Sequence, residues 1–230
     1  MSKTDTVKVV LIGESGVGKT SIIARFINDI FDPNCVTSLG ASYISKNVIF
    51  PEYQKTIKFD IWDTAGQEKY RSLAKVFYKD ALIIIFVYDV TNQNSFKEIK
   101  NFWYKQIKDN ILSPPIFALA ANKSDLYESE NVDEGEAREF ADSIGAIFKS
   151  TSALSNSGID TLFTYLGKKF LNRNFNYKDE DINSGLPRVN ADAEEGAEGS
   201  NQKTEDNQQK QKGHKLDAEK TKKEKKKGCC

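Results

Sequence analysis

Residues 13–20 read Gly-Glu-Ser-Gly-Val-Gly-Lys-Thr, the pattern of a loop that wraps phosphate groups. Glycines at 13 and 18 let the backbone curl closely enough for its N–H groups to point at phosphate oxygens. Lys19 adds a cation for the β- and γ-phosphates, and the Thr20 hydroxyl a ligand for Mg²⁺. Ser15, Gly16, Val17, Gly18 and Ser21 complete the cradle. The loop must lie between a strand and a helix, so that the helix dipole also faces the anion. Its flanks fit. Val7–Ile12 is a short β-branched run, and Lys19–Asn28 carries Ile22, Ile23 and Phe26 at helical spacing. The pattern indicates a nucleoside triphosphate and leaves the base open.

Two further stretches supply what the loop lacks. Asp63-Thr-Ala-Gly66-Gln67 follows a strand ending at Trp62. There Asp63 suits the surroundings of Mg²⁺, the Gly66 N–H can contact a γ-phosphate, and Gln67 can orient an attacking water. Asn122-Lys123-Ser-Asp125 follows an apolar run, Ile116–Ala121. The Asp125 carboxylate can accept two parallel hydrogen bonds from guanine N1–H and N2–H₂, a donor pair adenine lacks. Thr151-Ser152-Ala153-Leu154 follows the next run, where Ser152 and Ala153 can close over the base.

These loops need a scaffold. Tyr43–Phe50 and Thr56–Trp62 read as a hairpin around Pro-Glu-Tyr-Gln, and Leu82–Tyr88 as a strand covered on both faces. Ser95–Lys108, Asp133–Ser143 and Gly158–Leu171 read as helices, and Ile147–Lys149 as a short strand. The alternation predicts an α/β fold with three layers: a mostly parallel six-stranded sheet, one antiparallel edge strand, and helices on both faces. In such sheets ligands bind at the carboxyl ends of the strands, where every motif above falls.

Of the 230 residues, 39% are hydrophobic and 29% charged, and acids balance bases. That balance argues against a nucleic-acid partner. From about Asn172 the chain turns polar, so a folded domain over 1–172 and a disordered tail over 173–230 are expected. The start lacks the apolar core of a signal peptide, and the longest apolar run, Ala81–Tyr88, is too short to span a bilayer. A cytosolic origin follows as the expectation. Of the three cysteines, Cys229 and Cys230 end the chain and Cys35 stands alone, which is no disulfide framework.

Taken together, residues 7–171 resemble the Ras superfamily, whose fold is that of the P-loop nucleoside triphosphatases, and within it the Rab family. Leu39-Gly-Ala-Ser-Tyr43, Gln67-Glu-Lys-Tyr-Arg-Ser72, Phe77-Tyr-Lys-Asp-Ala81 and Tyr88-Asp-Val-Thr-Asn92 are similar to Rab signatures, the first to those of the early-endosomal branch. The resemblance implies a switch that binds GTP or GDP with Mg²⁺. Phe31 would pack on guanine. Ser38 would take the place of the usual threonine that ligands Mg²⁺ and senses the γ-phosphate, with Thr37 as the neighbouring alternative. Tyr43, Trp62 and Phe77 match an aromatic trio presented to effectors, although Trp62 also suits plain packing on the sheet. Leu154 stands where many relatives have lysine.

Gly228-Cys229-Cys230 resembles the double geranylgeranylation signal of Rabs, and Lys220, Lys222, Lys223, Lys225, Lys226 and Lys227 precede it. Two lipids anchor stably where one is marginal. The tail from Arg173 would span about 40 Å as a random coil. The implied protein is a monomer on the cytoplasmic face of intracellular membranes, endosomal by its motifs, with a cytosolic pool. Its implied partners are an exchange factor, a GTPase-activating protein, a GDP-dissociation inhibitor, an escort protein and effectors. Hydrolysis would be slow until a partner's arginine raised it by roughly 10³ to 10⁵. A nucleotide kinase would need a second pocket and lid, for which the ordered part has no spare residues. A non-hydrolysing adaptor at a membrane is the alternative that Ser38 keeps open.

Overall fold

The computed structural model describes residues 4–34, 42–64, 74–111 and 113–178. Cys35, Ser38, Gly66, Gln67, Cys229 and Cys230 lie outside the described residues. β1 (Thr4–Ile12) leads through a loop into α1 (Lys19–Asn28). β2 (Ser42–Phe50) and β3 (Lys55–Asp63) form the expected hairpin around a 3₁₀ turn at Pro51–Tyr53. There follow α2 (Ala74–Tyr78), β4 (Ile83–Asp89) and α3 (Gln93–Glu98). A π-helical turn (Ile99–Trp103) joins α3 to α4 (Tyr104–Asn110). β5 (Ile116–Asn122), α5 (Glu134–Ser143), β6 (Ile147–Thr151) and α6 (Ile159–Leu171) complete the order.

The six strands lie in the order β2-β3-β1-β4-β5-β6, parallel except for β2 against β3. β4 and β5 are buried at every position, which is why their sequences run apolar without alternation. β2 at the edge is exposed or half-buried until Phe50. On one face Phe26 of α1 stacks on Phe163 of α6 at 3.7 Å between centroids, and Phe59 of β3 meets both edge-on. On the other, Phe86 and Phe117 pack against Tyr104, which also meets Phe140 of α5. Each such pair adds about 0.5–1.5 kcal/mol beyond simple burial.

Register then fixes where the loops emerge. Leu11 pairs with Asp63, Ile12 with Phe86, Asp89 with Asn122, and Asn122 with Thr151. The carboxyl ends of β1, β3, β4, β5 and β6 therefore form one row. This register is what gathers motifs far apart in sequence.

Two expectations need correction. The helix read over Ser95–Lys108 is not regular: the Tyr104 N–H bonds to the Ile99 carbonyl across a wider turn. The wider turn lets adjacent Trp103 and Tyr104 both reach packed surfaces. The folded part also runs past residue 172. Asn172–Phe175 forms a turn, and Phe175 and Tyr177 pack on Tyr165 of α6. Tyr177 is buried, and Lys178 pairs with Asp142 at 2.8 Å. Two aromatics in a polar run give this strap the apolar area that average composition hides. No helix among the described residues is long and apolar enough to cross a membrane.

Candidate functional site

The loop after β1 is shaped by its neighbours as much as by any ligand. A Cβ on Gly13 would stand 2.1 Å from the Val87 carbonyl oxygen. Gly18 has φ +94°, and a Cβ there would stand 2.3 Å from Asn122 Nδ2. α1 then starts at Lys19 with no side-chain cap and no acidic residue in its first turn. Its leading N–H groups thus face the loop, where an anion is favoured. Val17 is buried, Ser15 and Gly16 are exposed, and Ser21 is half-buried.

Lys19 is 5% exposed, and its Nζ donates to the Gly13 and Glu14 carbonyls at 2.9 Å each. Burial pulls its ammonium down from 10.5 to about 8, against the attraction of the Asp63 and Glu14 carboxylates. The Thr20 hydroxyl donates to Asp63 Oδ2 at 2.6 Å, across from β3. Asp63 is buried, and Thr64 beside it is anchored to the Leu11 carbonyl at 2.7 Å. A hydroxyl and a carboxylate in contact beside a phosphate-shaped loop are hard oxygen donors, a set that fits Mg²⁺.

At the carboxyl end of β5, Asn122 ties loops together. Its Nδ2 donates to the Val17 carbonyl at 2.7 Å, and its Oδ1 accepts from the Thr151 hydroxyl at 3.2 Å. Lys123 takes φ +66° and meets Asp89 Oδ2 at 2.6 Å. Asp89 is held in turn by the N–H and hydroxyl of Thr91. Asp125 Oδ1 accepts from Ser152 Oγ at 2.5 Å, and the Ser155 N–H donates to that Oγ. Ala153 is buried and Leu154 exposed, their carbonyls bound by the Arg25 guanidinium at 2.9 and 3.2 Å. Phe31 packs half-buried against the core edge. The arrangement fixes the Asp125 carboxylate on Ser152, past the end of β5 in the same row of strand ends as the loop after β1.

Tyr43, Trp62 and Phe77 do come together: Tyr43 and Trp62 lie 5.5 Å apart, Trp62 and Phe77 6.3 Å. Tyr43 is half exposed, with its hydroxyl on Asp60 at 2.8 Å, and Lys8 Nζ sits over the Trp62 ring. Trp62 thus both packs on the sheet and joins the surface trio.

Sequence reasoning missed Arg25, Asp89, Thr151, Glu14 and Trp103. Asp89 lay within the Tyr88–Asn92 signature and so had a signal. Arg25 and Trp103 had none, because each acts on a partner remote in sequence.

Residues 8–172 match the Ras family model. The chain is 44% identical over 165 residues to human Ras-related protein Rab-22A, covering 70% of this chain and 82% of that protein. It is 42% identical over 162 residues to mouse Ras-related protein Rab-31, with the same coverage. Against Ras-related protein RabJ of Dictyostelium discoideum, identity is 39% over 164 residues, 71% of this chain and 63% of that one. The chain belongs to the Rab branch of the Ras family, the small GTPases that bind GTP and GDP with Mg²⁺, hydrolyse GTP and act as switches in vesicular traffic.

Proposed function

We propose that the row of strand ends is the site of a GTP–GDP cycle in which each named residue has a separate task. The backbone of Ser15–Ser21 and the Lys19 ammonium hold the phosphates. Thr20 and Asp63 hold Mg²⁺, which when bound neutralises charge on the β- and γ-phosphates. Asp125 selects guanine, steadied by Ser152, while Lys123, Ala153, Leu154 and Phe31 flank the base. Asn122 serves by bridging the two halves of the site. Ser38 and Gly66 contact the γ-phosphate, and Gln67 orients the attacking water. Loss of the γ-phosphate then releases the stretches around Ser38 and Gly66, and with them the Tyr43–Trp62–Phe77 surface that effectors read.

The observation that carries this reading is the Val17–Asn122–Thr151 bridge, which holds phosphate loop and base loop at one fixed spacing. Membrane attachment would come from geranylgeranyl groups on Cys229 and Cys230, added with an escort protein and shielded in the cytosol by a GDP-dissociation inhibitor. An exchange factor and a GTPase-activating protein would set the cycle, and endosomal membranes are the proposed station. The decisive measurement is chromatography of nucleotide released on denaturing the purified protein. Near-stoichiometric guanine nucleotide is expected, and adenine nucleotide would overturn the assignment of Asp125. Gln67→Leu should slow single-turnover hydrolysis severely with affinity nearly intact; an unchanged rate would remove Gln67 from its role. Imaging a tagged protein with and without the last two cysteines tests the membrane.

A further inference from the structure

Trp103 does something that core packing does not require. It lies on the π-helical turn between α3 and α4, is 4% exposed, and its indole Nε1–H donates to Glu14 Oε1 at 3.1 Å. Glu14 is the second residue of the phosphate loop. Its own carbonyl accepts from Lys19 Nζ at 2.9 Å, and its carboxylate is close enough to that ammonium to stabilise its charge. The loop thus carries an anion beside its own cradle, where phosphates would bring several more negative charges. Like charges confined together at low dielectric repel strongly, so the direction in which this carboxylate points bears on how firmly phosphates are held.

We infer that Trp103 is a positioning residue for nucleotide retention: its indole draws the Glu14 carboxylate out of the phosphate cradle and onto the α3–α4 helix. The π turn is the device that makes this reach possible. It allows Trp103 to face the loop while Tyr104, its neighbour, faces Phe86, Phe117 and Phe140. Insertions of this kind in helices are common at functional sites. Lys19 and Trp103 then act on one residue from two directions, the first at its backbone and the second at its side chain. The inference rests on reading residues 13–20 as the phosphate site.

The test is the rate of GDP release from the full-length protein, measured by loading a fluorescent GDP analogue with Mg²⁺ and chasing with excess GDP. Trp103→Phe keeps an aromatic ring but removes the donor. A hydrogen bond to a charged group corresponds to roughly a 10- to 150-fold effect, so release should quicken at least about tenfold. Adding Glu14→Gln, which removes the charge, should return the rate toward that of the wild type. Equal acceleration by Trp103→Phe with Glu or with Gln at position 14 would reduce Trp103 to packing and overturn the inference. So would equal release by wild type and Trp103→Phe. Should Trp103→Phe not fold, Glu14→Asp takes its place, since its carboxylate is one carbon short of the indole and keeps the charge. Faster release supports the inference, and an unchanged rate overturns it. A wild-type protein that retains no GDP analogue at all would overturn the phosphate-site reading itself, and this inference with it.

Discussion

Replacing Lys19 by Met and following both proteins from pH 7 to 11 without nucleotide separates the charge of this residue from everything else that titrates. Burial lowers the Lys19 ammonium from 10.5 to about 8 in the folded protein. At about 1.4 kcal/mol per pH unit, that gap amounts to about 3 kcal/mol by which folding disfavours the charged form. Below pH 8 both folded and unfolded chains carry the proton, and the penalty is constant. Between pH 8 and 10.5 the unfolded chain holds a proton the folded one has lost, so stability rises with pH. Above 10.5 both are neutral and the rise ends. The expected result is that the unfolding free energy of the wild type, minus that of Lys19→Met, climbs by about 3 kcal/mol across this window. Urea unfolding at each pH gives the difference. Saturating GDP supplies the anions that Lys19 faces, holds its proton and flattens the curve. A difference already flat without nucleotide would show that Lys19 is not buried as a charge, and the reasoning would fail.

Gly18→Ala should push Asn122 away, given the 2.3 Å clash and φ +94°. We expect a loss of about 2–4 kcal/mol together with faster GDP release, read by melting and stopped flow; a neutral variant would refute the cradle geometry. Asp125→Asn replaces a carboxylate acceptor with a donor opposite guanine N–H groups. It should lower GDP affinity about 100-fold and favour xanthine nucleotides, whose C2 carbonyl complements the amide. Unchanged preference in competition binding would refute the role. Tyr177→Ser should lower stability by about 2 kcal/mol through lost burial while leaving GDP affinity unaltered, and a loss under about 0.5 kcal/mol by calorimetry would mean that the strap is not docked.

The parts of the site that were legible in advance are those written in consecutive residues. Gly13–Thr20 and Asn122–Asp125 each lie within one stretch after a strand, so types and spacing were enough to single them out. The β2–β3 hairpin was legible for the same reason, its turn residues lying between two strands of matching length. Contacts made across the fold were not. Arg25 grips carbonyls after β6, and Trp103 reaches back to the phosphate loop; neither partner is near in sequence. The π turn was hidden because an extra residue among Phe102, Trp103 and Tyr104 leaves the run apolar under either register. Phe175 and Tyr177 were diluted by a polar surrounding when read as an average. Asn122 shows a subtler case: its place in the motif was evident, but its side-chain bonds to Val17 and Thr151 were not.

The β2–β3 hairpin sets Ser42 directly opposite Asp63 and Tyr43 opposite Trp62. Two strand ends held side by side on one ladder do not move as two independent joints. A displacement of either strand end is shared through the same backbone bonds, so Tyr43 and Trp62 move as one patch. A mutation that loosens the rung between Tyr43 and Trp62 would therefore split that patch.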